Sequence, residues 1–253
     1  MTRVGWLQDP VHYVGGAELT AREFRDAAPA EIEIVCCPPG LVDETCDKFC
    51  AHNVVHYEAA DLHALRAKPI TWFHHDLSCW IRPEVKAWLD DHARHIFCSP
   101  MQRDRYGIDG ECIPPALDLD SFKPPRQSRR HRKGTCSIAQ WRNHGKGAFL
   151  LAEWAAKNGE VDVYGDGEYQ PFGRNINPKG PLAPDKVAQT LWKYETLVFL
   201  PLEVEPFCRT IAEAHAAGCR VVTNKKVGAT YWLTEKPGAL ETASEDFWRA
   251  VLA

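Results

Sequence analysis

The stretch 196–228, TLVFLPLEVEPFCRTIAEAHAAGCRVVTNKKVG, decides the fold prediction. Residues 196–201 form a short apolar run of strand length, whereas residues 207–217 place apolar side chains at helical spacing. Gly218 is suited to end that helix, and residues 219–223 form a second apolar run typical of a buried strand. A strand, a loop, a helix and another strand predict a βαβ unit. Such units bind ligands at the carboxyl ends of their strands and at helix N-termini.

Two carboxylates bracket the start of the predicted helix. Glu205 lies in the loop before it, and Glu213 lies eight positions later. Eight residues are a little over two helical turns, so we expect Glu213 on nearly the same face as the helix start, below any ligand bound there. Taken alone, two solvated glutamates on an amphipathic helix fit this spacing equally well.

The wider motif points to one family. Glu205-Pro206-Phe207, followed by Glu213-Ala214, Ala216-Ala217-Gly218 and Val221-Val222, resembles the retaining glycosyltransferases of family 4. The resemblance implies an α/β fold with two Rossmann-like domains, the GT-B fold, and an interdomain cleft. It also implies that Glu205 contacts the donor sugar as a catalytic residue and that Glu213 holds the nucleotide ribose. The chain is short for that family, so compact, trimmed domains are expected.

Composition places the chain among ordinary globular proteins. Charged residues make up 25% and apolar residues 45%, and the net charge of −4 gives no overall nucleic-acid signature. The ten cysteines do not form the framework of a small secreted protein, and neither a signal peptide nor an 18-residue apolar run is found. We therefore expect a cytoplasmic protein with reduced thiols.

A glycine pair follows the first predicted strand, Arg3–Leu7. Gly15 and Gly16 directly precede a helical pattern over Ala17–Ala27. Glycines at a helix start let backbone N–H groups approach a phosphate, although such loops are also common without a ligand. The resemblance assigns Gly15 and Gly16 to the donor phosphates.

Two histidines end the strand predicted over Pro69–Phe73. They are followed by an acidic residue, in the order His74-His75-Asp76. A side chain at the carboxyl end of a parallel strand points toward a ligand crevice. The resemblance assigns His75 to the donor sugar as a catalytic residue, with His74 as the alternative and a hydrogen-bonded surface pair as the structural explanation.

Metal motifs are weak in this sequence. Cys46, Cys50, His52 and His56 have a spacing that matches no standard zinc layout. Asp118-x-Asp120 has the form of a metal-binding motif of another glycosyltransferase fold, but it lies inside the pattern that closes the first domain. We predict no metal and no cofactor other than the nucleotide-sugar co-substrate.

A proline-containing basic segment separates the halves of the chain. Residues 123–134, KPPRQSRRHRKG, predict an exposed linker between an acceptor-side domain over 1–122 and a nucleotide-sugar domain over 135–253. The basic run 126–133 is either a solvated hinge or a contact for an anionic partner.

The second half offers the remaining candidate residues. Arg142 and Lys146 flank a glycine-containing turn after the strand predicted over Thr135–Ala139, where cations can grip a diphosphate. The resemblance gives them that role and adds further positions: Arg209 and Thr210 at the donor phosphates, and Gly165 and Asp166 beside the nucleobase and ribose.

These observations predict a metal-independent retaining hexosyltransferase that moves a sugar from a nucleotide-sugar donor to an unspecified hydroxyl. A nucleotide-sugar binding protein without transfer activity and a GT-B-like sugar epimerase remain the alternatives.

Overall fold

We describe the protein from a computed structural model that covers residues 1–10, 15–77, 80–126, 132–167 and 173–253. The chain divides into two compact units, Met1–Leu117 with Thr234–Ala253, and Asp118–Leu233. The predicted boundary at residue 122 therefore differs slightly from the observed one. Residues 234–253, predicted to belong to the second domain, lie in the first unit.

The first unit contains a six-stranded parallel sheet in the order β2-β1-β3-β4-β5-β6. Its strands are β1 (Thr2–Leu7), β2 (Ile32–Cys37), β3 (Lys48–Ala51), β4 (Ile70–His74), β5 (Ala93–Phe97) and β6 (Glu111–Cys112). Its first helices are α1 (Gly16–Asp26), α2 (Ala59–His63), α3 (Pro83–His92) and α4 (Pro100–Tyr106). The strand order reverses at β1, and ligands of folds with this topology bind at the carboxyl ends of the strands near such a switch point.

The second unit contains a five-stranded parallel sheet in the order β11-β10-β7-β8-β9. Its strands are β7 (Thr135–Ile138), β8 (Val161–Tyr164), β9 (Ile176–Gly180), β10 (Thr196–Phe199) and β11 (Arg220–Thr223). Its helices are α5 (Ala148–Asn158), α6 (Val187–Leu191), α7 (Arg209–Ala216) and α8 (Ala229–Thr234). This is the strand order of the Rossmann fold, with its switch point between β7 and β10.

The last helix, α9 (Ala243–Leu252), packs on the first unit. The ring of Phe247 stacks on Phe24 of α1 with centroids 4.0 Å apart, and Trp248 Nε1 donates to the Phe24 carbonyl at 2.8 Å. Arg94 also donates to the Ala250 carbonyl at 2.7 Å. The apolar face of α9 therefore belongs to the core of the first unit, which explains why the predicted domain 135–253 was too long.

The apolar residues within Val54–Tyr57 predict a further strand from sequence, and this prediction is wrong. The residues are not in a strand, and β3 occupies Lys48–Ala51 instead, between β1 and β4. Val54 and Tyr57 are nevertheless fully buried. Their apolar character therefore reflects core packing by a turn and not pairing within the sheet.

The basic linker is only partly described. Residues 127–131 lie outside the described residues, so most of the run 126–133 is not part of the structural account. Arg132, at its end, donates to the carbonyls of Ala217 and Gly218, the latter at 2.6 Å. A guanidinium at this position satisfies carbonyls left over at the carboxyl end of α7. Among the described residues, no helix combines the length and apolar character needed to cross a membrane.

Candidate functional site

Lys146 and Glu205 meet at the switch point of the second sheet. Lys146 follows β7 and Glu205 follows β10, the two neighbouring strands whose crossover helices diverge. Lys146 Nζ lies 2.7 Å from Glu205 Oε1, and the two side chains are only 23% and 15% exposed. A half-buried ion pair is less screened by solvent than a surface pair. The ion pair of Lys146 and Glu205 therefore lies at the place in the sheet where ligands of this fold bind.

The backbone around this pair is tightly fixed. Glu205 N donates to the Lys226 carbonyl at 2.8 Å, and Gly228 N donates to the Glu205 carbonyl at 2.9 Å. The Gly145 carbonyl, next to Lys146, accepts from Leu202 N at 2.7 Å. The loops after β7 and β10 are thus hydrogen-bonded to each other. These bonds fix the backbone that carries Lys146 and Glu205.

Gly147 allows the loop after β7 to approach the end of β10. Its φ is +77°, and a Cβ at this position would lie 1.9 Å from the Leu200 carbonyl oxygen. No other residue type fits without moving the backbone. The Lys-Gly sequence is therefore explained by close backbone approach, which places Lys146 beside the strand that leads to Glu205.

Arg209 and Glu213 form a second ion pair on α7. Arg209 Nε lies 3.4 Å from Glu213 Oε1, one helical turn apart, with side chains 10% and 9% exposed. Glu213 lies within the helix as expected, but α7 begins at Arg209, so Glu213 lies about one turn from the helix start and not two. Thr210 is the second residue of α7, so its backbone N–H belongs to the first helical turn, where anions are favoured.

Cys208 adopts an unusual backbone conformation at the start of α7. Its φ is +71° and its ψ is 87°, and among the described residues it is the sole non-glycine residue with a positive φ. Glycine is the residue that tolerates this conformation without strain. Burial, reinforced by the negative charge of Glu205, raises the pKa of the Cys208 thiol to about 12. The thiol is therefore protonated at neutral pH.

We expect Cys208→Gly to be more stable than Cys208→Ala by about 1 kcal/mol, because both remove the thiol but only glycine relieves the left-handed strain. The comparison of urea-unfolding midpoints measures the difference. At an ordinary helical position alanine is the more stabilising residue. A Cys208→Ala variant as stable as Cys208→Gly would thus contradict the strained conformation.

Arg142 and Asp166 come together above the carboxyl ends of β7 and β8. Arg142 Nη2 lies 3.1 Å from Asp166 Oδ2, but both side chains are largely exposed. The turn that begins with Gly165 is joined to the loop after β7, since Trp141 N donates to the Asp166 carbonyl at 2.9 Å. Such an exposed pair contributes little to stability, and its charges are accessible to a ligand.

At the glycine pair of the first unit, the Gly15 amide already donates to a carboxylate of the protein itself. Gly15 N donates to Glu18 Oε2 at 3.0 Å, and Glu18 Oε1 accepts from Asn53 Nδ2 at 3.0 Å. Gly16 begins α1. A phosphate that used the Gly15 amide would have to displace this carboxylate. A Glu three residues after a helix cap is a known capping signal, and Glu18 stands at that position.

The two neighbouring histidines differ in environment. His74 is buried, its Nε2 lies 2.9 Å from His95 Nδ1, and its ring stacks on Phe97. Burial holds the pKa of His74 well below its usual range. His75 follows the end of β4 and is only partly buried, with Nε2 2.9 Å from His52 Nδ1. This environment favours His75 over His74 as a ligand contact, although the assignment itself stays a prediction.

The residues weighed as metal ligands have other contacts. Cys50 Sγ lies 3.4 Å from His52 Nε2, and Cys46 is buried in the hydrophobic core of the first unit. Asp120 pairs with Lys123 at 2.5 Å. In the part of the chain that the structure describes, no group of three or more His, Cys, Asp or Glu side chains is arranged to hold a metal ion.

Two Rossmann-like units of parallel sheet in one chain have the architecture of the GT-B fold, and solved structures support this class. HepE from Anabaena, in complex with UDP and glucose, superimposes with a TM-score of 0.70 and 14% identity, covering 91% of this chain and 82% of that chain. AviGT4, a glycosyltransferase involved in avilamycin A biosynthesis, gives a TM-score of 0.67 and 15% identity, covering 100% and 89%. Sucrose-phosphate synthase from Thermosynechococcus elongatus gives 0.66 and 14%, covering 100% and 94%.

No protein-family model and no curated protein sequence matches the chain. At these identities the structural likeness establishes the fold, and the activity has to be argued from the site.

Proposed function

We propose that the protein is a retaining glycosyltransferase that uses a nucleotide-sugar donor. The observation that carries the proposal is the Lys146–Glu205 pair at the switch point of the second sheet, with the buried Arg209–Glu213 pair on the helix that follows. A nucleoside diphosphate sugar offers a diphosphate to the cations and hydroxyl groups to the carboxylates. HepE, a structural neighbour, was solved with UDP-glucose.

The site contains its own counter-charge for Lys146. Glu205 neutralises Lys146, with Oε1 and Nζ 2.7 Å apart. A diphosphate carries more negative charge than one carboxylate and can form several charge-assisted hydrogen bonds with the ammonium group. On our proposal, Lys146 turns to the diphosphate, and Glu205 becomes available to accept a hydrogen bond from a sugar hydroxyl.

The same cations would assist departure of the diphosphate. Cleavage of the bond between the sugar and the phosphate leaves negative charge on the phosphate oxygens, and fixed positive groups stabilise that charge as it develops. Lys146, Arg142 and the N–H groups of the first turn of α7, which include that of Thr210, supply such groups. The acceptor hydroxyl then attacks on the face that the diphosphate leaves and gives its proton to the departing phosphate oxygen, so the new glycosidic bond replaces the sugar–phosphate bond with retention of configuration. The family resemblance assigns His75 to the donor sugar in this reaction.

Incubation with a panel of nucleotide sugars tests the proposal. Release of the nucleoside diphosphate, slow by hydrolysis and faster with sugar, lipid or peptide acceptors, would support a transferase, and the product's anomeric signals in NMR would report retention. Saturable binding without any turnover would instead indicate a nucleotide-sugar binding protein. Isomerisation of the donor sugar without an acceptor would indicate an epimerase.

We expect EDTA to leave turnover, or donor binding, unchanged within about twofold, because Lys146 and Arg142 supply the positive charge that a metal supplies elsewhere. The measurement compares initial rates with excess EDTA and after addition of magnesium or manganese. Complete inhibition by EDTA that either metal reverses would contradict this expectation.

A further inference from the structure

Asn224 joins the two loops that flank Glu205 in the second unit. It follows β11, and its Nδ2 donates to the Pro201 carbonyl at 2.8 Å, while its Oδ1 accepts from Lys226 N at 3.0 Å. Pro201 belongs to the loop after β10, which carries Glu205. We propose that Asn224 is a positioning residue that sets the place of Glu205 relative to Lys146. The catalytic relevance of this assignment rests on the proposed function, whereas the placement of the loop does not.

The directions of both hydrogen bonds are fixed by the chemistry of their partners. The Pro201 carbonyl can only accept, and the backbone N–H of Lys226 can only donate. A reversed carboxamide would set oxygen against oxygen and N–H against N–H, so the amide nitrogen of Asn224 must face Pro201. Neither partner atom titrates, and the two bonds are therefore the same at every pH at which the protein is folded.

Asn224 spans an interruption in the pairing of β10 with β11. The two strands pair up to their last residues, and a single parallel bridge between Glu205 and Val227 resumes the pairing. The intervening segments are 200–204 and 224–226, so five residues lie opposite three, and the longer segment has to bulge. Because the ladder is interrupted here, side-chain hydrogen bonds help to decide the shape of the bulge.

Two side chains bind the bulge, and they differ in exposure. Lys226 Nζ donates to the Leu202 carbonyl, but Lys226 is exposed, so water can replace its ammonium group there. Asn224 is half-buried and Pro201 is buried, and a buried carbonyl that loses its donor is costly. We therefore expect the loop after β10 to depend more on Asn224 than on Lys226.

Glu205 is hydrogen-bonded to the segment that begins with Asn224. Its backbone N donates to the Lys226 carbonyl at 2.8 Å, and its own carbonyl accepts from Gly228 N at 2.9 Å. Lys146 has a separate support within the loop after β7, where its N donates to the carbonyl three residues earlier at 3.1 Å. A shift of the loop after β11 therefore displaces Glu205 relative to Lys146. A displacement of about 1 Å can lower a catalytic rate roughly a hundredfold.

Amide hydrogen exchange of the full chain, followed by NMR, tests the placement directly. Asn224→Ala removes both bonds of the carboxamide, so the amides of Glu205 and Gly228, which donate between the two loops, should exchange at least about tenfold faster than in wild type. Asn175→Ala is the matched control, because Asn175 Nδ2 also donates to a carbonyl of the same unit, that of Ala155, at 2.8 Å, but at the amino end of β9. It should leave both amides protected as in wild type. Unchanged exchange in Asn224→Ala would overturn the proposal, as would equal acceleration in Asn175→Ala.

Kinetics on the same proteins link the placement to the reaction. Asn224→Ala should lower kcat for a nucleotide sugar at least about tenfold and leave UDP affinity within about threefold, because Lys146 and Glu213, the proposed nucleotide contacts, lie in other segments. Asn175→Ala should leave kcat unchanged. In a Glu205→Gln background, Asn224→Ala should lower kcat by less than about threefold, since the group that it positions has already lost its charge. An unchanged kcat in Asn224→Ala, or the same fold loss in both backgrounds, would overturn the positioning role.

Asn224→Asp provides a second test and covers the case in which Asn224→Ala does not fold. Aspartate keeps the size of the side chain and the acceptor for Lys226 N, but it places a carboxylate oxygen against the Pro201 carbonyl. Exchange and kcat should therefore change as in Asn224→Ala, and wild-type values of both would overturn the role of the amide donor. If wild-type protein turns over no nucleotide sugar, the proposed function fails, while hydrogen exchange still decides whether Asn224 places the loop.

Discussion

Glu213→Gln is expected to lower the affinity for a nucleoside diphosphate tenfold to hundredfold, about 1.5–3 kcal/mol. Glu213 is buried and its carboxylate faces Arg209, with Nε and Oε1 3.4 Å apart. On the proposed function, the carboxylate accepts hydrogen bonds from both ribose hydroxyls. Glutamine keeps the shape but loses the charge that strengthens these bonds and that balances the guanidinium. Isothermal titration with UDP and the other ribonucleoside diphosphates measures the loss.

Two controls separate a ribose contact from a structural effect. A 2′,3′-dideoxynucleoside diphosphate lacks the hydroxyls, so wild-type protein and Glu213→Gln should bind it with similar affinity. Glu153→Gln, which removes an exposed carboxylate on α5 of the same unit, should bind every nucleotide as wild type does. An equal loss for the dideoxy ligand would assign Glu213 to the packing of α7. No loss for any ligand would leave Glu213 without a role in binding.

The βαβ unit over 196–223 could be predicted from sequence because its strands are buried on both faces and so appear as continuous apolar runs. The predicted helix began at Phe207, but α7 begins at Arg209. The cause is local: Cys208 takes a positive φ, which no pattern of apolar residues reveals.

The placement of two other segments could not be predicted. Lys48–Ala51 and Val54–Tyr57 are both short and rich in buried residues, and pairing with β1 and β4, far away in sequence, decides which one is the strand. The amphipathic pattern of α9 predicts a helix but not which unit covers its apolar face. Phe24, more than 200 residues earlier, supplies that information through its contacts with Phe247 and Trp248.

In the candidate site, too, single residues could be predicted from the sequence, whereas their contacts could not. Resemblance led to Lys146 and Glu205 separately, and the strand order of the second sheet brings them within 2.7 Å of each other. The contacts of His52 with His75 and of Glu18 with Asn53 join residues 23 and 35 positions apart, so no local sequence pattern predicts them. Only the packed structure shows that these polar groups meet.

Lys146→Ala and Glu205→Gln are expected to change nucleoside diphosphate affinity in opposite directions. Loss of Lys146 removes a charge-assisted contact and should weaken binding tenfold to hundredfold. On the proposed function, Glu205 competes with the diphosphate for the same ammonium group, because Nζ and Oε1 lie 2.7 Å apart. Glu205→Gln removes that competitor and should strengthen binding of the bare nucleotide by roughly fivefold, about 1 kcal/mol.

The double variant completes the test as a thermodynamic cycle. In Lys146→Ala the carboxylate of Glu205 faces the diphosphate without its cation, so adding Glu205→Gln should recover part of the lost affinity by removing like-charge repulsion. Turnover should behave differently from binding: Glu205→Gln should lower kcat for the nucleotide sugar at least tenfold, because the carboxylate that binds the sugar is gone. Calorimetry on the four proteins and initial rates on the two single variants give both quantities. If Glu205→Gln weakened the bare nucleotide as much as Lys146→Ala, Glu205 would be acting on the nucleotide itself, and the exchange of Lys146 from carboxylate to diphosphate would be wrong.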